Sequence, residues 1–380
     1  MISRTWKTGV MILSYLLVAV TAFTVATLLR PASKLEQLEG LIEQVYVDEV
    51  DWEYAQDSAA RAMVEALPDG WSYYISADEY ESYVQDKDNE YVGVGMTVIV
   101  QDGAVTVQKL EPAGSAREAG VLPGDVIVAV DGKSVEGMDL YSVTQLVRGE
   151  AGESVTLSMQ RDTQVLDFTM ERKHMQVQVV TATMLEGNIG YITIANFNKD
   201  SAQQAMDAVD KLTGEGATAL IFDVRNNGGG YKDEMVKLLD YLLPEGDLFK
   251  SVDYKGSEEI DRSDDNCVQL PMAVLINGES YSAAEFFAAA LEEYDWAVTV
   301  GEPTVGKGHY QVTYRLDDGS AVALSIGKYF TPKGVSLADA GGLKPKVEVK
   351  VDQETAALIY SGLLKPEEDP QLQAAVEALK

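Results

Sequence analysis

The stretch "PMAVLINGESYSAAEFFAAALEEYDWAVTVG", residues 271–301, decides the fold because it holds one complete strand–helix–strand unit. The run "MAVLI" is continuously apolar, which is typical of a strand buried on both faces. An apolar helix follows, and "WAVTVG" predicts a second buried strand. Because helical crossovers join parallel strands, this unit predicts a mostly parallel sheet whose faces are covered by helices.

The same alternation runs on both sides of this unit and defines an α/β core over residues 173–366. Further strands are predicted for "IGYITIANF" and "ATALIFDV", and helices for "DSAQQAMDAVDKLTGEG" and "KDEMVKLLDYLL". The loop "RNNGGG", residues 225–230, follows the second of these strands. The tail "DPQLQAAVEAL" predicts a last amphipathic helix, which we assign to a segment of its own over residues 367–380.

Two further segments precede this core. Residues 91–172 form short alternating runs separated by Gly, Pro and Asp turns, with two helices between them, which predicts a compact β-rich domain. Residues 31–90 repeat apolar residues at three- and four-residue spacing, so we expect a helical region there. Within it, the tyrosine-rich run 69–84 predicts a turn and a short helix. The fold class is therefore multi-domain α/β.

Composition limits the classes of function. The chain has 380 residues, so several domains are expected, since single cores rarely grow beyond about 250–300 residues. Its net charge of −31 argues against binding nucleic acid, because phosphates would be repelled rather than neutralised. The single Cys267 excludes an intrachain disulfide.

The N-terminus predicts the compartment. Residues 8–29 carry no charge, and as a helix they would span roughly 33 Å, enough for a bilayer core of about 30 Å. Arg4 and Lys7 precede the run, and cations favour the cytoplasmic side. We therefore expect a signal-anchor over residues 1–30, a single-pass protein in the cell membrane, and the remaining chain outside the cytoplasm. A cleaved signal peptide is the alternative, and it would make the protein secreted.

Three interpretations compete for Ser282 and Lys307. In the first, "SAAE" is a capping box, in which Ser282 holds the free N–H groups of a helix start and Glu285 reaches back. This leaves Lys307 unexplained. In the second, "GEPTVGKG" is a phosphate loop, but Gly308 stands where that loop needs Ser or Thr. The following "HYQVTYRL" also alternates like a strand instead of opening a helix, so the phosphate loop is rejected.

In the third interpretation Ser282 is a nucleophile and Lys307 is its base. A serine hydroxyl needs a group that removes its proton, and lysine serves if burial lowers its pKa from about 10.4 towards 7–8. The flanking Gly306 and Gly308 allow backbone to pack closely around the lysine. The developing oxyanion needs N–H groups, which a helix start and the glycines of "RNNGGG" can supply.

Together these features resemble the carboxyl-terminal processing peptidases, or tail-specific proteases, which are serine proteases with a Ser–Lys catalytic pair. The family nucleophile lies in S-A-[SA]-E, matched by Ser282 in "YSAAE". Its lysine lies in G-K-G-x-x-Q, matched by Lys307 in "GKGHYQ", 25 positions later. The resemblance implies that Gln311 supports the lysine by hydrogen bonding. It also implies that the N–H groups of Ala283 and Gly229 form the oxyanion hole.

The resemblance covers nearly all of the chain beyond the membrane segment, including "TPKGVS" and the "DPQL" tail. Two positions depart from the family pattern. Gly228 stands where the family usually has proline, and Tyr281 where a small residue is usual. Neither change removes a catalytic group.

The β-rich domain resembles the PDZ domain that these proteases carry before the catalytic core. Its "YVGVGMTV" looks like a carboxylate-binding loop and strand, which assigns Val92, Gly93, Val94 and Gly95 to binding of a substrate tail. A glycine-flanked loop offers N–H groups to a terminal carboxylate, and the neighbouring strand edge accepts the tail as an added strand. Arg148, at the end of a PDZ helix, is a further candidate for sensing the bound tail.

The resemblance implies a membrane-anchored serine endopeptidase that cleaves extracytoplasmic proteins near their C-termini. Its partners would be proteins or peptides with free C-termini, with no metal and no other cofactor. Family members assemble through terminal helices, so a homodimer is also compatible with it. The alternative is a catalytically degenerate, membrane-tethered PDZ scaffold, in which Ser282 is only a helix cap.

Overall fold

The computed structural model describes residues 11, 13, 15, 32–101 and 103–380. The predicted membrane segment, residues 8–29, therefore lies outside the described residues except at three positions. Among the described residues, no helix combines the length and apolarity that a membrane crossing requires.

Eleven helices lie in the described chain from residue 32 onwards. They are α1 (Lys34–Val45), α2 (Trp52–Glu65), α3 (Ala77–Lys87), α4 (Ser115–Glu118), α5 (Leu140–Val147), α6 (Ser201–Gly214), α7 (Lys232–Leu242), α8 (Ala283–Glu293), α9 (Leu337–Ala340), α10 (Gln353–Tyr360) and α11 (Pro370–Ala378), with a 3-10 turn at Pro366–Glu368.

The strands of the same region belong to three larger sheets and one two-stranded ladder. They are β1 (Tyr73–Ile75), β2 (Glu90–Gly93), β3 (Met96–Gln101), β4 (Ala104–Leu110), β5 (Val126–Val130), β6 (Lys133–Ser134), β7 (Ser154–Arg161), β8 (Gln164–Glu171), β9 (Lys173–Gln176), β10 (Val180–Leu185), β11 (Ile189–Ile194), β12 (Ala219–Asp223), β13 (Gly246–Asp253), β14 (Glu258–Ser263), β15 (Met272–Ile276), β16 (Ala297–Gly301), β17 (His309–Arg315), β18 (Ala321–Phe330) and β19 (Val347–Glu348).

The chain divides into two compact units, Met1–Ala60 and Arg61–Lys380. In the first unit, α1 begins with a capping box between Ser33 and Glu36, which satisfies free N–H groups at the helix start. The second unit contains the β-rich domain and the α/β core, and all site residues discussed below belong to it.

The large sheet of the core has the order β10-β11-β12-β15-β16-β19. Every pair from β11 to β19 is parallel, and only β10 is antiparallel to its neighbour, as the strand–helix alternation predicts. Successive residues of β12 belong to different core clusters: Leu220 and Phe222 pack with helices α6, α7 and α8, while Ile221 packs with α11 on the other face. Both faces are therefore covered, so strands of this sheet are apolar throughout.

A second, antiparallel sheet was only partly predicted. Its order is β1-β18-β13-β14, with β17 also paired to β18. The run expected to form a turn and a short helix supplies the helix α3 but also the strand β1, in which Tyr73 pairs with Ala323. The three residues of β1 are too few to show a period, so only the long-range pairing makes them a strand.

The β-rich domain contains a sheet of order β3-β4-β5-β7-β8, with β6 paired to β5, and the helices α4 and α5. Its own core includes Val107, Val143 and Leu157, all nearly inaccessible to solvent. The strands β2 and β9 form a separate ladder in which Val92 pairs with His174. The chain thus enters and leaves this domain through one pair of adjacent strands.

Candidate active site

Ser282 occupies a strained turn between the buried strand β15 and the helix α8. Its backbone dihedrals are φ 58° and ψ −128°, a region that residues other than glycine rarely adopt. Such strain persists only where the surrounding structure enforces it, and it recurs where a nucleophilic serine sits on a sharp strand-to-helix turn. A helix cap needs only ordinary extended dihedrals, so the capping interpretation alone does not account for this geometry.

The Ser282 side chain faces an aromatic hydroxyl. Ser282 is 5% exposed, and its Oγ lies 3.2 Å from the hydroxyl of Tyr329 in β18. Burial raises the pKa of Tyr329 to about 12, so its hydroxyl stays neutral and can donate or accept a hydrogen bond. The sequence offered no signal for this contact, because the two residues are 47 positions apart and meet only through folding.

Glu285 joins the serine turn to the lysine loop. Its carboxylate accepts hydrogen bonds from the N–H groups of Ser282 (3.0 Å), Lys307 (2.9 Å) and Gly306 (2.6 Å). The hydroxyl of Thr304 donates to the same carboxylate. Burial raises the pKa of Glu285, although these hydrogen bonds oppose the rise. The glutamate predicted as half of a capping box therefore also holds the backbone of the predicted base.

Lys307 lies in the loop between β16 and β17, where the rejected phosphate loop would have needed a helix. A Cβ on Gly306 would approach the Gly342 nitrogen to 2.7 Å, and one on Gly308 would approach the Ala338 Cβ to 2.6 Å. Close packing on both sides of the lysine therefore requires glycine, as the sequence indicated.

The Lys307 ammonium rests against aromatic rings. Its Nζ lies 4.8 Å from the centroid of Trp71 and 6.0 Å from that of Tyr281. Burial, followed by the positive charge of Lys87, lowers the pKa of Lys307 to about 8, although Glu285 pulls the other way. A buried amine with this pKa is partly neutral near physiological pH, which a general base requires.

Four of the five predicted active-site residues share one cavity, while Gly229 lies between two of its lining residues, Gly228 and Gly230. Ser282, Ala283, Lys307 and Gln311 all line a cavity of about 990 Å³. Within the part of the chain that the structure describes, no hydrogen bond joins Lys307 Nζ to Ser282 Oγ. Gln311 donates from Nε2 to the His309 carbonyl (3.2 Å) and the Ser325 hydroxyl (2.9 Å) rather than reaching the lysine.

The predicted oxyanion loop packs directly on the serine turn. Gly229 has φ 87°, and a Cβ on it would meet the Ser282 Cβ at 2.7 Å and the Ala283 nitrogen at 2.9 Å. Its N–H donates to the Asn227 side-chain oxygen at 2.8 Å. Ala283 is the first residue of α8, so its N–H lacks an intrahelical acceptor and lies in the positive end of the helix dipole. These two N–H groups therefore come from adjacent segments.

The two departures from the family pattern are in contact with each other. A Cβ on Gly228 would lie 2.6 Å from the Tyr281 hydroxyl and 2.8 Å from its Cζ. The Tyr281 ring thus occupies the space that a proline at position 228 would need. The sequence shows two separate departures, but in the structure the missing side chain at Gly228 leaves the space that the large Tyr281 ring occupies.

The predicted tail-binding residues line a second cavity, of about 460 Å³, between β3 and the helix α5. Its walls include all five of them: Val92, Gly93, Val94, Gly95 and Arg148. Its lining includes the apolar side chains of Val143 and Val147. Arg148 places positive charge at it, whereas Lys109 is paired with the Glu111 carboxylate at 3.1 Å. The cavity suits an extended peptide with an apolar side chain and a carboxylate.

Residues that could bind a metal do not cluster in the part of the chain that the structure describes. Among residues 11, 13, 15, 32–101 and 103–380, no group of three or more His, Cys, Asp or Glu side chains is placed to hold an ion. The predicted absence of a cofactor stays a prediction.

Comparisons with known proteins agree with this architecture. The sequence profile described as peptidase family S41 matches residues 188–349, and that of a PDZ domain matches residues 106–161. The carboxy-terminal processing protease CtpA of Bacillus subtilis is 32% identical over 84% of this chain and 70% of its own length. A probable CtpA-like serine protease of Staphylococcus aureus is 31% identical over 83% of this chain and 64% of its own length.

Solved structures give the same result. The photosystem II D1 C-terminal processing protease is 29% identical, with a TM-score of 0.50 over 90% of this chain and 93% of its own. A putative S41 protease from Bacteroides fragilis shares the fold, with a TM-score of 0.55 at 16% identity over 92% of this chain and 97% of its own. The chain therefore belongs to peptidase family S41, the serine-type carboxyl-terminal processing peptidases, and carries a PDZ domain.

Proposed function

We propose that this protein is an endopeptidase that cleaves protein substrates near their C-termini with Ser282 as nucleophile and Lys307 as general base. The observation that carries the proposal is the strained backbone of Ser282, which opens a helix in the cavity that also receives a lysine of lowered pKa. A structural cap would need neither the strain nor the lysine.

The chemistry follows from these groups. The neutral Lys307 amine takes the proton of the Ser282 hydroxyl while Oγ forms a bond to the scissile carbonyl carbon. The N–H groups of Ala283 and Gly229 receive the oxyanion. When the intermediate collapses, the C–N bond breaks, and the leaving amine takes the proton from the Lys307 ammonium. Water then attacks the acyl-enzyme and gives a proton to Lys307. The bond between the acyl carbon and Oγ breaks, Oγ takes that proton from the Lys307 ammonium, and the new carboxyl terminus leaves.

The reaction requires three local rearrangements. Lys307 Nζ must leave the Trp71 ring for the serine, and Ser282 Oγ must exchange its contact with Tyr329 for one with the amine. Loss of the proton favours the first step, because a neutral amine is no longer attracted to the face of an aromatic ring. Gly229 N–H must likewise turn from Asn227 towards the oxyanion. Substrate binding drives these rearrangements, because the scissile peptide fills the same cavity.

The remaining parts of the proposal concern binding and location. The substrate's C-terminal tail docks in the PDZ cavity as an added strand, with its carboxylate at the loop Val92–Gly95 and near Arg148. Residues 8–29 anchor the protein in the cell membrane, and the catalytic part lies outside the cytoplasm. Gln311 supports the lysine once Nζ has moved into the cavity.

The test compares the full-length protein in detergent with the variants Ser282→Ala and Lys307→Arg. Each is incubated with peptides that differ only at the C-terminus, and the products are identified by mass spectrometry. We expect the wild type to cut and both variants to lose at least about 10³-fold in kcat/KM, because arginine keeps the charge but cannot act as a base. A fully active Lys307→Arg variant would contradict the base assignment.

The alternative, a degenerate PDZ scaffold, is favoured by one observation: the described structure places the lysine amine on Trp71 rather than on the serine hydroxyl. It predicts that the wild type binds peptides with free C-termini but cuts none of them, and that Ser282→Ala changes only stability, by about 1 kcal/mol.

A further inference from the structure

The C-terminal helix α11 is joined to the oxyanion loop by a buried ionic network. Its centre is the Arg225 guanidinium, at the start of "RNNGGG", whose side chain is only 3% exposed. Arg225 Nε donates to Asp223 at 2.9 Å, and Nη2 donates to both Asp223 (2.5 Å) and Asp369 (2.8 Å). Nη1 donates to the Gln371 side-chain oxygen at 2.9 Å. All three nitrogen atoms of this buried guanidinium therefore donate hydrogen bonds.

The Asp369 side chain has three hydrogen-bond partners and the Gln371 side chain has two. One Asp369 carboxylate oxygen accepts from the N–H groups of Gln371 (3.0 Å) and Leu372 (3.1 Å), capping α11, while the other accepts from Arg225. The Gln371 amide accepts from Arg225 and donates to the Val349 carbonyl at 2.8 Å. The Asp369 side chain therefore both caps α11 and binds the Arg225 guanidinium.

The loop that follows Arg225 is fixed to the serine turn. Asn226 N–H donates to the Asn277 side chain at 2.9 Å, and Tyr281 N–H donates to the Asn227 carbonyl at 3.1 Å. The Asn227 side chain in turn donates to the Ile194 carbonyl at 2.8 Å. A shift of the Arg225 backbone would therefore be passed on to Gly229, four residues later, and to its contact with Ser282.

The contact between Asp369 and Arg225 can be weakened without leaving a buried charge unpaired. The buried group of Asp223, Asp369 and Arg225 carries a net charge of −1. If Asp369 became neutral, Arg225 would keep its pair with Asp223, so no charge would be left buried without a partner. Asparagine caps helices about as well as aspartate, so α11 would keep its start, but the new NH₂ group would then face the Arg225 Nη2 donor instead of accepting from it.

We propose that Asp369 and Gln371 are positioning residues that hold the oxyanion loop from the C-terminal helix through Arg225. The expected change in kcat rests on the proposed function, whereas the expected change in the mobility of the oxyanion loop does not. It assigns a role in the reaction to a helix that, by its packing, would only cover one face of the sheet.

The experiment uses the full-length protein with Asp369→Asn and the control Leu372→Ala. Leu372 is buried under the same helix turn but lies outside the network, so its loss weakens the packing of α11 without freeing Arg225. We expect Asp369→Asn to lower kcat about 10-fold or more with KM nearly unchanged, because a misplaced oxyanion donor acts on the transition state. Leu372→Ala should keep its kcat at temperatures well below its Tm.

Hydrogen exchange of the backbone amides of residues 225–230 gives a readout that does not need catalysis. These amides should exchange faster in Asp369→Asn than in the wild type and in Leu372→Ala.

Wild-type kcat and wild-type exchange in Asp369→Asn would overturn the inference, as would an equal loss of kcat in Leu372→Ala. If the wild type cuts no peptide, the proposed function fails. Faster hydrogen exchange in Asp369→Asn would still support the role of Asp369 in holding the oxyanion loop, and unchanged exchange would refute it. If Asp369→Asn does not fold, Gln371→Leu takes its place with the same expectations. This change removes the contact with Arg225 Nη1 and the donation to the Val349 carbonyl, but it leaves both carboxylates on Arg225.

Discussion

Lys307 should determine the pH dependence of the enzyme. Its base form is the neutral amine, so activity should rise with pH and level off above the pKa. Burial sets that pKa at about 8, well below the ordinary lysine value of 10.5. We expect log kcat/KM to increase with unit slope below about pH 8 and to be flat above it. The measurement is the initial rate of peptide cleavage between pH 6 and 10.

The same profile tests the aromatic contact. Trp71→Leu keeps the site apolar but removes the ring that favours the ammonium. The inflection should therefore move to lower pH in this variant. A rate that inflects near the ordinary lysine value in the wild type would show that burial does not lower the pKa of the base, and a rate without any inflection would show that the amine is not the base.

Gly228 and Tyr281 should be energetically coupled. Since a Cβ on Gly228 would lie 2.6 Å from the Tyr281 hydroxyl, Gly228→Ala should lower the free energy of unfolding by about 1–3 kcal/mol. In a Tyr281→Ala background the same change should cost less than about 1 kcal/mol. Urea unfolding of the four proteins in this cycle measures the difference.

The nearby Gly278 provides the control for this cycle. A Cβ there would meet only the Pro303 carbonyl oxygen, at 3.9 Å, so Gly278→Ala should show no coupling to Tyr281. Additive effects of Gly228→Ala and Tyr281→Ala would mean that the two departures from the family pattern arose independently.

Sequence patterns predicted individual residues well where the chemistry is local. The glycines around Lys307 and the serine at a helix start are visible in short motifs. Trp71 and Tyr329, which contact the lysine and the serine, were missed because neither lies in a motif. They reach the site only through the antiparallel pairing of β1 with β18, and a pattern within one segment carries no information about such a partner.

At the scale of elements, Glu285 joins the helix α8 to the loop before β17. All groups that it contacts are donors, including the N–H groups of Ser282 and Lys307. In Glu285→Gln, the new NH₂ group must face at least one of them, which leaves a buried donor unsatisfied. We expect the free energy of unfolding to fall by about 1–3 kcal/mol and kcat to fall with it, as measured by urea unfolding and peptide cleavage.

An exposed glutamate of the same turn provides the matched comparison. Glu279→Gln makes the identical chemical change at the surface and should alter stability by no more than about 0.5 kcal/mol. If Glu285→Gln behaved like this surface variant, Glu285 would be a helix cap without a role in joining the two elements.

Alternation of strands and helices predicted the parallel sheet because its central strands are continuously apolar and are separated by amphipathic helices. The second sheet was only partly predicted, because β1 has three residues and because β18 pairs with β1 and β13, which lie far from it in the chain. The predicted membrane segment remains a sequence expectation, since residues 8–29 lie almost entirely outside the described part of the chain.

At the scale of the whole molecule, charge should influence which tails reach the PDZ cavity. A net charge of −31 repels acidic peptides over a distance of about 30 Å at 0.01 M salt but only about 10 Å at 0.1 M. Arg148 acts in the opposite direction, but only within the cavity itself, where the charge of Lys109 is balanced by Glu111. Long-range repulsion should therefore limit encounter, while local attraction should hold the carboxylate after docking.

Peptides of equal length whose upstream residues are either lysines or glutamates, with an identical apolar C-terminal residue, separate the two effects. We expect kcat/KM to favour the lysine peptide about 10-fold at 0.01 M NaCl and only about 2-fold at 0.15 M. Salt screens the long-range repulsion that slows encounter with the glutamate peptide, whereas docking in the cavity is unchanged. Arg148→Ala should raise KM for both peptides by a similar factor without altering this salt dependence. A preference for the glutamate peptide at low salt would mean that the positive charge at the cavity outweighs the charge of the whole chain.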